Sequence, residues 1–281
     1  MSKISRRGLR ITAAAAGAGV IAAAALANTA HAGTRATLAT TDSGVRLSAM
    51  PQGTLTLGLN GKGELDLTVS AFGLTPGSSH KVELMNGRKV ITTFSMLTAN
   101  SAGQVKDKTL DSSFTGALGS WQVALLNGNG SASATDMQIA RTGTFKGGQS
   151  TYRLIPVETT EAGKNWGTPQ GSAVVAYNQK AKTISVTVNA SGFQPGRHAV
   201  QIRVGTCAAQ GPVQYTLKDF TANAKGRIVK ETRVVANATT PLPATGWYLN
   251  LHQGTSSNIT LKGNPTINFR PLLCGDIVTK R

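Results

Sequence analysis

Histidine, cysteine, aromatic and acidic residues are all scarce in this chain. Among 281 residues there are 4 His, 2 Cys and 12 Asp plus Glu, and aromatic residues make up 5%. A metal centre needs several imidazoles, thiolates or carboxylates gathered at one place, and this supply makes one hard to build. There is no Gly-x-Ser-x-Gly elbow, no phosphate-cradling glycine loop and no zinc-finger spacing. Paired carboxylates on one cleft are also missing, since Asp219 and Glu231 read as surface charges among lysines. No basic stretch is interleaved with base-stacking aromatics, which argues against specific nucleic-acid recognition. Outside the N-terminus there is no helical stripe and no apolar run long enough to span a membrane.

The N-terminus has the pattern of an export signal. "MSKISRRGLR" carries four cations and no acid, "ITAAAAGAGVIAAAALA" is apolar and Ala-rich, and "AHA" ends at Ala32. Residues 1–32 are expected to be removed by a cut after Ala32, leaving a secreted, extracellular or cell-wall-associated protein. "SRRGLR" partly resembles a twin-arginine signal, so both export routes stay open. The remaining chain holds 25 basic and 12 acidic residues, and the excess is lopsided: +3 over residues 33–150 and +10 over residues 151–281. Outside the cell, such a basic half meets anionic cell-wall polymers, lipid heads or another extracellular protein.

Cys207 and Cys274 both lie in the second half, and an even pair in an exported protein reads first as a disulfide. A thiol nucleophile or metal pair would need nearby His or acid partners, which neither cysteine has in sequence. The chain also aligns with itself. "LDLTVSAFGLTPGSSHKVELMNG" (Leu65–Gly87) faces "ISVTVNASGFQPGRHAVQIRVG" (Ile184–Gly205), "LTANSAGQV" faces "FTANAKGRI", and "WQVALLNG" faces "WYLNLHQG". The second copy has an insertion within "GTCAAQGPV". Apolar residues alternate along each block, and Gly, Asn, Pro and Ser punctuate them, as in half-buried antiparallel strands. The expected fold is all-β: two tandem antiparallel sandwiches, residues 33–150 and residues 151–281. Trp121 and Trp247 share the parity of the apolar face and are expected as core anchors. His80 and His198 follow the Pro-Gly turns on core-side parity and are expected to be hydrogen-bonded structural histidines.

The second copy resembles the Cu/Zn superoxide dismutase family. "GFQPGRHAVQIRVGTC" is similar to the strand that carries two copper histidines. "FTANAKGRI" is similar to a later hairpin, "YLNLHQG" to the strand with the last copper histidine, and "GNPTINFRPLLCGDI" to the ending with the second cysteine. "WYLNLH" is equally similar to the CHRD domain, a related sandwich usually without assigned catalysis. The resemblance implies an immunoglobulin-like sandwich. It also implies where copper would sit, and there this chain departs. Gln201 and Arg203 stand where two copper histidines belong, and only His252 matches a copper ligand. The short "AAQGPVQYTLKDF" has no histidine for a zinc loop. The position of the family's anion-guiding arginine holds Pro271, with Arg270 one residue earlier.

A guanidinium offers no free lone pair and repels a metal cation. The chain is therefore expected to be a non-catalytic protein with no cofactor. Strand parity puts Gln201, Arg203 and His252 on the outer faces of their strands, and the family's strand order, which the resemblance implies, brings them together as a vestigial, cationic metal-site patch. The rival is a divergent copper protein or dismutase that uses His252.

Overall fold

The computed structural model describes residues 40–128, 138–145, 151–157, 159–161 and 164–279. The expected leader and its cut after Ala32 lie outside these residues. The described residues are almost wholly strand and turn, and none of their helices is long and apolar enough to cross a membrane.

Sixteen strands build two antiparallel sheets. In chain order they are β1 (Thr40–Ala49), β2 (Gln52–Leu59), β3 (Leu65–Phe72), β4 (Val82–Asn86), β5 (Lys89–Thr93), β6 (Gln104–Leu110), β7 (Gln122–Leu126), β8 (Gln138–Arg141), β9 (Thr151–Pro156), β10 (Gln170–Asn178), β11 (Thr183–Ser191), β12 (Val200–Gly205), β13 (Gln210–Thr216), β14 (Arg227–Val235), β15 (Trp247–His252) and β16 (Pro271–Ile277). One sheet runs β5-β4-β7-β8-β9-β2-β3-β6 and the other β13-β12-β15-β16-β1-β10-β11-β14. Each sheet curls around its own apolar core. The alternation explains why: Leu65, Leu67, Val69 and Ala71 of β3 are buried while their neighbours are half exposed, and β11 repeats this with Ile184, Val186, Val188 and Ala190.

The second order is the first shifted by eight, with one exception. β1 fills the slot between β16 and β10, and β9 fills the slot between β8 and β2. The registers match: Leu47 lies opposite Gly171, and Leu154 lies opposite Gly53. Leu47 and Val45 enter the second core, whereas Leu154 and Tyr152 enter the first. β1, before residue 150, completes the second sheet and β9, after it, completes the first, so sheet membership does not follow a cut at residue 150. Both sheets belong to one compact unit.

Pro51-Gln52-Gly53 and Pro169-Gln170-Gly171 open the corresponding strands β2 and β10. A Cβ at Gly53 would fall 2.2 Å from the Ser70 carbonyl oxygen, and one at Gly171 would fall 2.7 Å from the Asn189 carbonyl oxygen. Each glycine lets its strand approach a partner that bulges there, between Val69 and Ala71 and between Val188 and Ala190.

The insertion in "GTCAAQGPV" docks the halves. Gln210 donates its backbone N–H to the Ala102 carbonyl (3.0 Å) and its side-chain Nε2 to the Leu74 carbonyl (2.7 Å). Gln104 Nε2 donates to the Ala208 carbonyl at 2.7 Å. Cys207 and Cys274 are joined across a separation of 67 residues. Closing a loop of that length is worth about 4 kcal/mol on the chain-entropy model. The disulfide packs with Met50 and Tyr248, and Phe72 of β3 lies against them.

Candidate functional site

β12 and β15 are neighbours, with Gln201 opposite Asn250 and Arg203 opposite Tyr248. Val200, Ile202, Leu249 and Leu251 point into the second core. Alternation therefore turns Gln201, Arg203, Tyr248, Asn250 and His252 to the other face. That face is covered, contrary to the expected exposed patch: Gln201 is 7% exposed, Arg203 8% and His252 0%. The cover is Phe269, from the 3-10 turn Ile267–Phe269, together with the β13 backbone. The Arg203 guanidinium lies 5.4 Å from the Phe269 ring centroid, and the His252 ring centroid lies 4.4 Å from it. A sequence read strand by strand cannot show a second layer brought in from distant residues.

The three expected residues do converge, as a closed cluster. Arg203 donates Nη1 to Gln201 Oε1 (2.7 Å), and Nε and Nη2 to the Gly211 carbonyl (3.0 and 2.7 Å). Its fork is thus spent on neutral acceptors. His252 donates Nδ1–H to the Phe269 carbonyl at 2.5 Å, which leaves the Nε2 lone pair without a hydrogen-bond partner among the described residues. Burial lowers the His252 pKa from 6.5 to about 4; the Phe269 bond opposes the shift and the Arg203 cation adds to it. Burial raises the Tyr248 phenol pKa, against the pull of Arg203.

Copper does not fit this donor set. The cluster offers one imidazole nitrogen beside a fixed cation, and no group of three or more His, Cys, Asp or Glu is gathered among the described residues. Corresponding positions in the first half hold Glu83, Met85, Ala124 and Leu126. The last three pack as a small apolar cluster.

The remaining residues singled out in the sequence are placed as follows. His80 donates Nδ1–H to the Leu126 carbonyl (2.8 Å), with Nε2 2.6 Å from Ser78 Oγ. His198 sets Nδ1 against the His252 carbonyl (3.1 Å) and Nε2 against the Gln194 carbonyl (2.7 Å). Trp247 is buried in the second core and meets Tyr215 edge-on. Trp121 is only half-buried and packs edge-on to Phe114.

Two features were not expected from the sequence. Arg270 is buried, with Nε and Nη2 unpartnered among the described residues, and burial pulls its pKa down to about 10. Its charge reaches the first half. His80 has a lowered pKa mainly through burial, with Arg270 contributing. The second feature is Asp219. It is not a surface charge: its side chain is 2% exposed and forms an ion pair with Arg197 at 3.1 Å. It sits in an open cavity of about 700 Å³ lined also by Lys218, Thr221, Arg233 and Ser256.

Residues 148–264 match the family described as the CHRD domain. The CHRD match takes in the Gln201, Arg203 and His252 cluster, Cys207 and the Asp219 cavity. Cys274 and Arg270 fall beyond it, as does β1, which completes the sheet. Comparison with curated proteins yields no match.

Proposed function

We propose that the protein is a secreted, non-catalytic binding module, built from two copies of a sandwich similar to the dismutase and CHRD folds. In this reading the second half attaches it to anionic polymers of the cell envelope. One observation carries the proposal: residues 151–281 hold a net charge of +10, against +3 for residues 33–150. Long-range attraction to a polyanion needs such an excess and needs no preformed catalytic group. The closed state of the Gln201, Arg203 and His252 cluster supports a non-catalytic role, because a substrate has no open path to His252.

The test is retention of the purified protein on isolated cell wall. Binding is expected at low salt and release as ionic strength passes about 0.15 M, where the screening length is about 8 Å. Absence of binding at every salt concentration ends the proposal. Purification with copper present, followed by metal analysis and a superoxide assay, tests the non-catalytic part. Stoichiometric copper with dismutase turnover overturns it.

A further inference from the structure

The strand order provides an internal control. β14 pairs with β11 as β6 pairs with β3, with a bulge at the same place: Val186 opposes Arg233, and Leu67 opposes Leu110. Position by position, the first half holds Ser79, Met96 and Leu110 where the second holds Arg197, Asp219 and Arg233. The same scaffold therefore closes with a hydroxyl, a thioether and a leucine at these places. Burying a carboxylate and ordering guanidinium groups around it costs stability compared with such residues. The paired strands β3 and β6 thus form without these charges.

What they build is a fixed array at the floor and mouth of the open cavity. Asp219 Oδ1 accepts from Ser256 N–H (3.1 Å) and Ser256 Oγ (2.5 Å), and Oδ2 faces Arg197 Nη2 at 3.1 Å. Arg233 donates Nε and Nη2 to the Asp219 carbonyl (3.1 and 3.0 Å), pairs with Glu231 and lies 5.2 Å from the Phe220 ring centroid. The Arg197 side chain is 70% exposed, so its remaining donors face solvent at the rim beside the exposed Lys218. A buried acid thus orients one arginine whose free edge points outward, next to a second cation and threonine hydroxyls. That is the chemistry of anion capture with polar side contacts. The cavity, at about 700 Å³, is far larger than a lone inorganic anion and has room for a sugar ring.

We propose that this cavity binds one anionic sugar unit, a ring bearing a carboxylate or a phosphate. The proposal rests on the envelope-binding reading and supplies its point of contact.

The test is titration of the whole protein, by calorimetry, with trigalacturonate, glucose 6-phosphate and the neutral control maltotriose. At least one acid is expected to bind, about tenfold or more tighter than the neutral sugar. The two acids tell a carboxylate source from a phosphate source. Arg197→Ala and Lys218→Ala, both at exposed side chains, are each expected to weaken acid binding about tenfold. Grafting the first half's residues, as Arg197→Ser, Asp219→Met and Arg233→Leu together, is expected to leave a folded protein that binds neither acid.

No acid binding by the wild type, or equal affinity in both single variants, overturns the site. Failure of the grafted variant to fold also counts against it, because the charges would then be structural. Cell-wall retention of the same proteins separates the two proposals. Sugar binding without wall retention rejects the envelope role and keeps the site. Wall retention unchanged in single variants that have lost acid binding keeps both the site and the envelope role but rejects this cavity as the point of contact.

Discussion

Leu47→Ala tests the place of β1 in the second sheet, because Leu47 lies in β1 near the start of the chain but fills the core of the second half. It is 4% exposed, and its cross-strand partner is Gly171, which has no side chain to move into the space left behind. Leucine-to-alanine changes in cores cost about 2–5 kcal/mol, and poor collapse favours the upper part of that range. A loss of about 3–4 kcal/mol is expected in urea denaturation, more than a hundredfold in the folding equilibrium. Hydrogen exchange should place the loss. Protection should fall in residues 170–191, 247–252 and 271–277, and hold in residues 82–86 and 122–126. The mirror variant, Leu154→Ala in β9, should reverse the pattern, since Leu154 packs in the first core. If Leu47→Ala loosens the first core and spares the second, β1 does not sit between β16 and β10 and the strand order is wrong.

Two further outcomes follow from the same structure. A fragment of residues 151–281 lacks Val45 and Leu47 and must place Tyr152 and Leu154 in that slot. It should melt below the intact protein, and a peptide of residues 38–50 should raise its Tm; no effect of the peptide refutes the slot. The His252 ring titrates at 6.5 when unfolded and at about 4 when folded. Below pH 6.5 the unfolded chain therefore takes up a proton that the folded chain refuses. Stability is full above that pH and falls by up to about 3 kcal/mol toward pH 4. His252→Leu, the residue type at the corresponding first-half position, should reduce this slope while His80, also lowered, keeps part of it. An unchanged slope in that variant refutes the assignment to His252.

Much of the architecture was legible. Leu65, Leu67, Val69 and Ile184, Val186, Val188 alternate so regularly that strand identity and the inward face follow directly. Pro76-Gly77 marks a turn and Pro195 a bend that leads into a strand at Gly196, with Gly77 at φ +70° and Gly196 at φ +132°. The disulfide between Cys207 and Cys274 forms as expected. The repeated Pro-Gln-Gly at 51–53 and 169–171 was an available signal for corresponding strands that the three longer blocks overshadowed. Burial of Asp219 carried no such signal, since it follows Lys218 and charged residues are mostly exposed, whereas Arg270 stands between Phe269 and Pro271-Leu272-Leu273, an apolar setting that was a signal for its burial.

The alternating pattern, taken alone, determined an all-β chain, the apolar face of each strand and the turning of Gln201, Arg203 and His252 away from that face. Those are local properties, written into every second residue. Only the folded molecule decided that β1 completes the second sheet and β9 the first, that Phe269 seals the cationic cluster and that Asp219 holds the rim of an open cavity. Leu47 and Leu154 satisfy either slot as far as a local pattern can tell. The choice between slots rests on small energy differences summed over contacts more than a hundred residues apart in the chain.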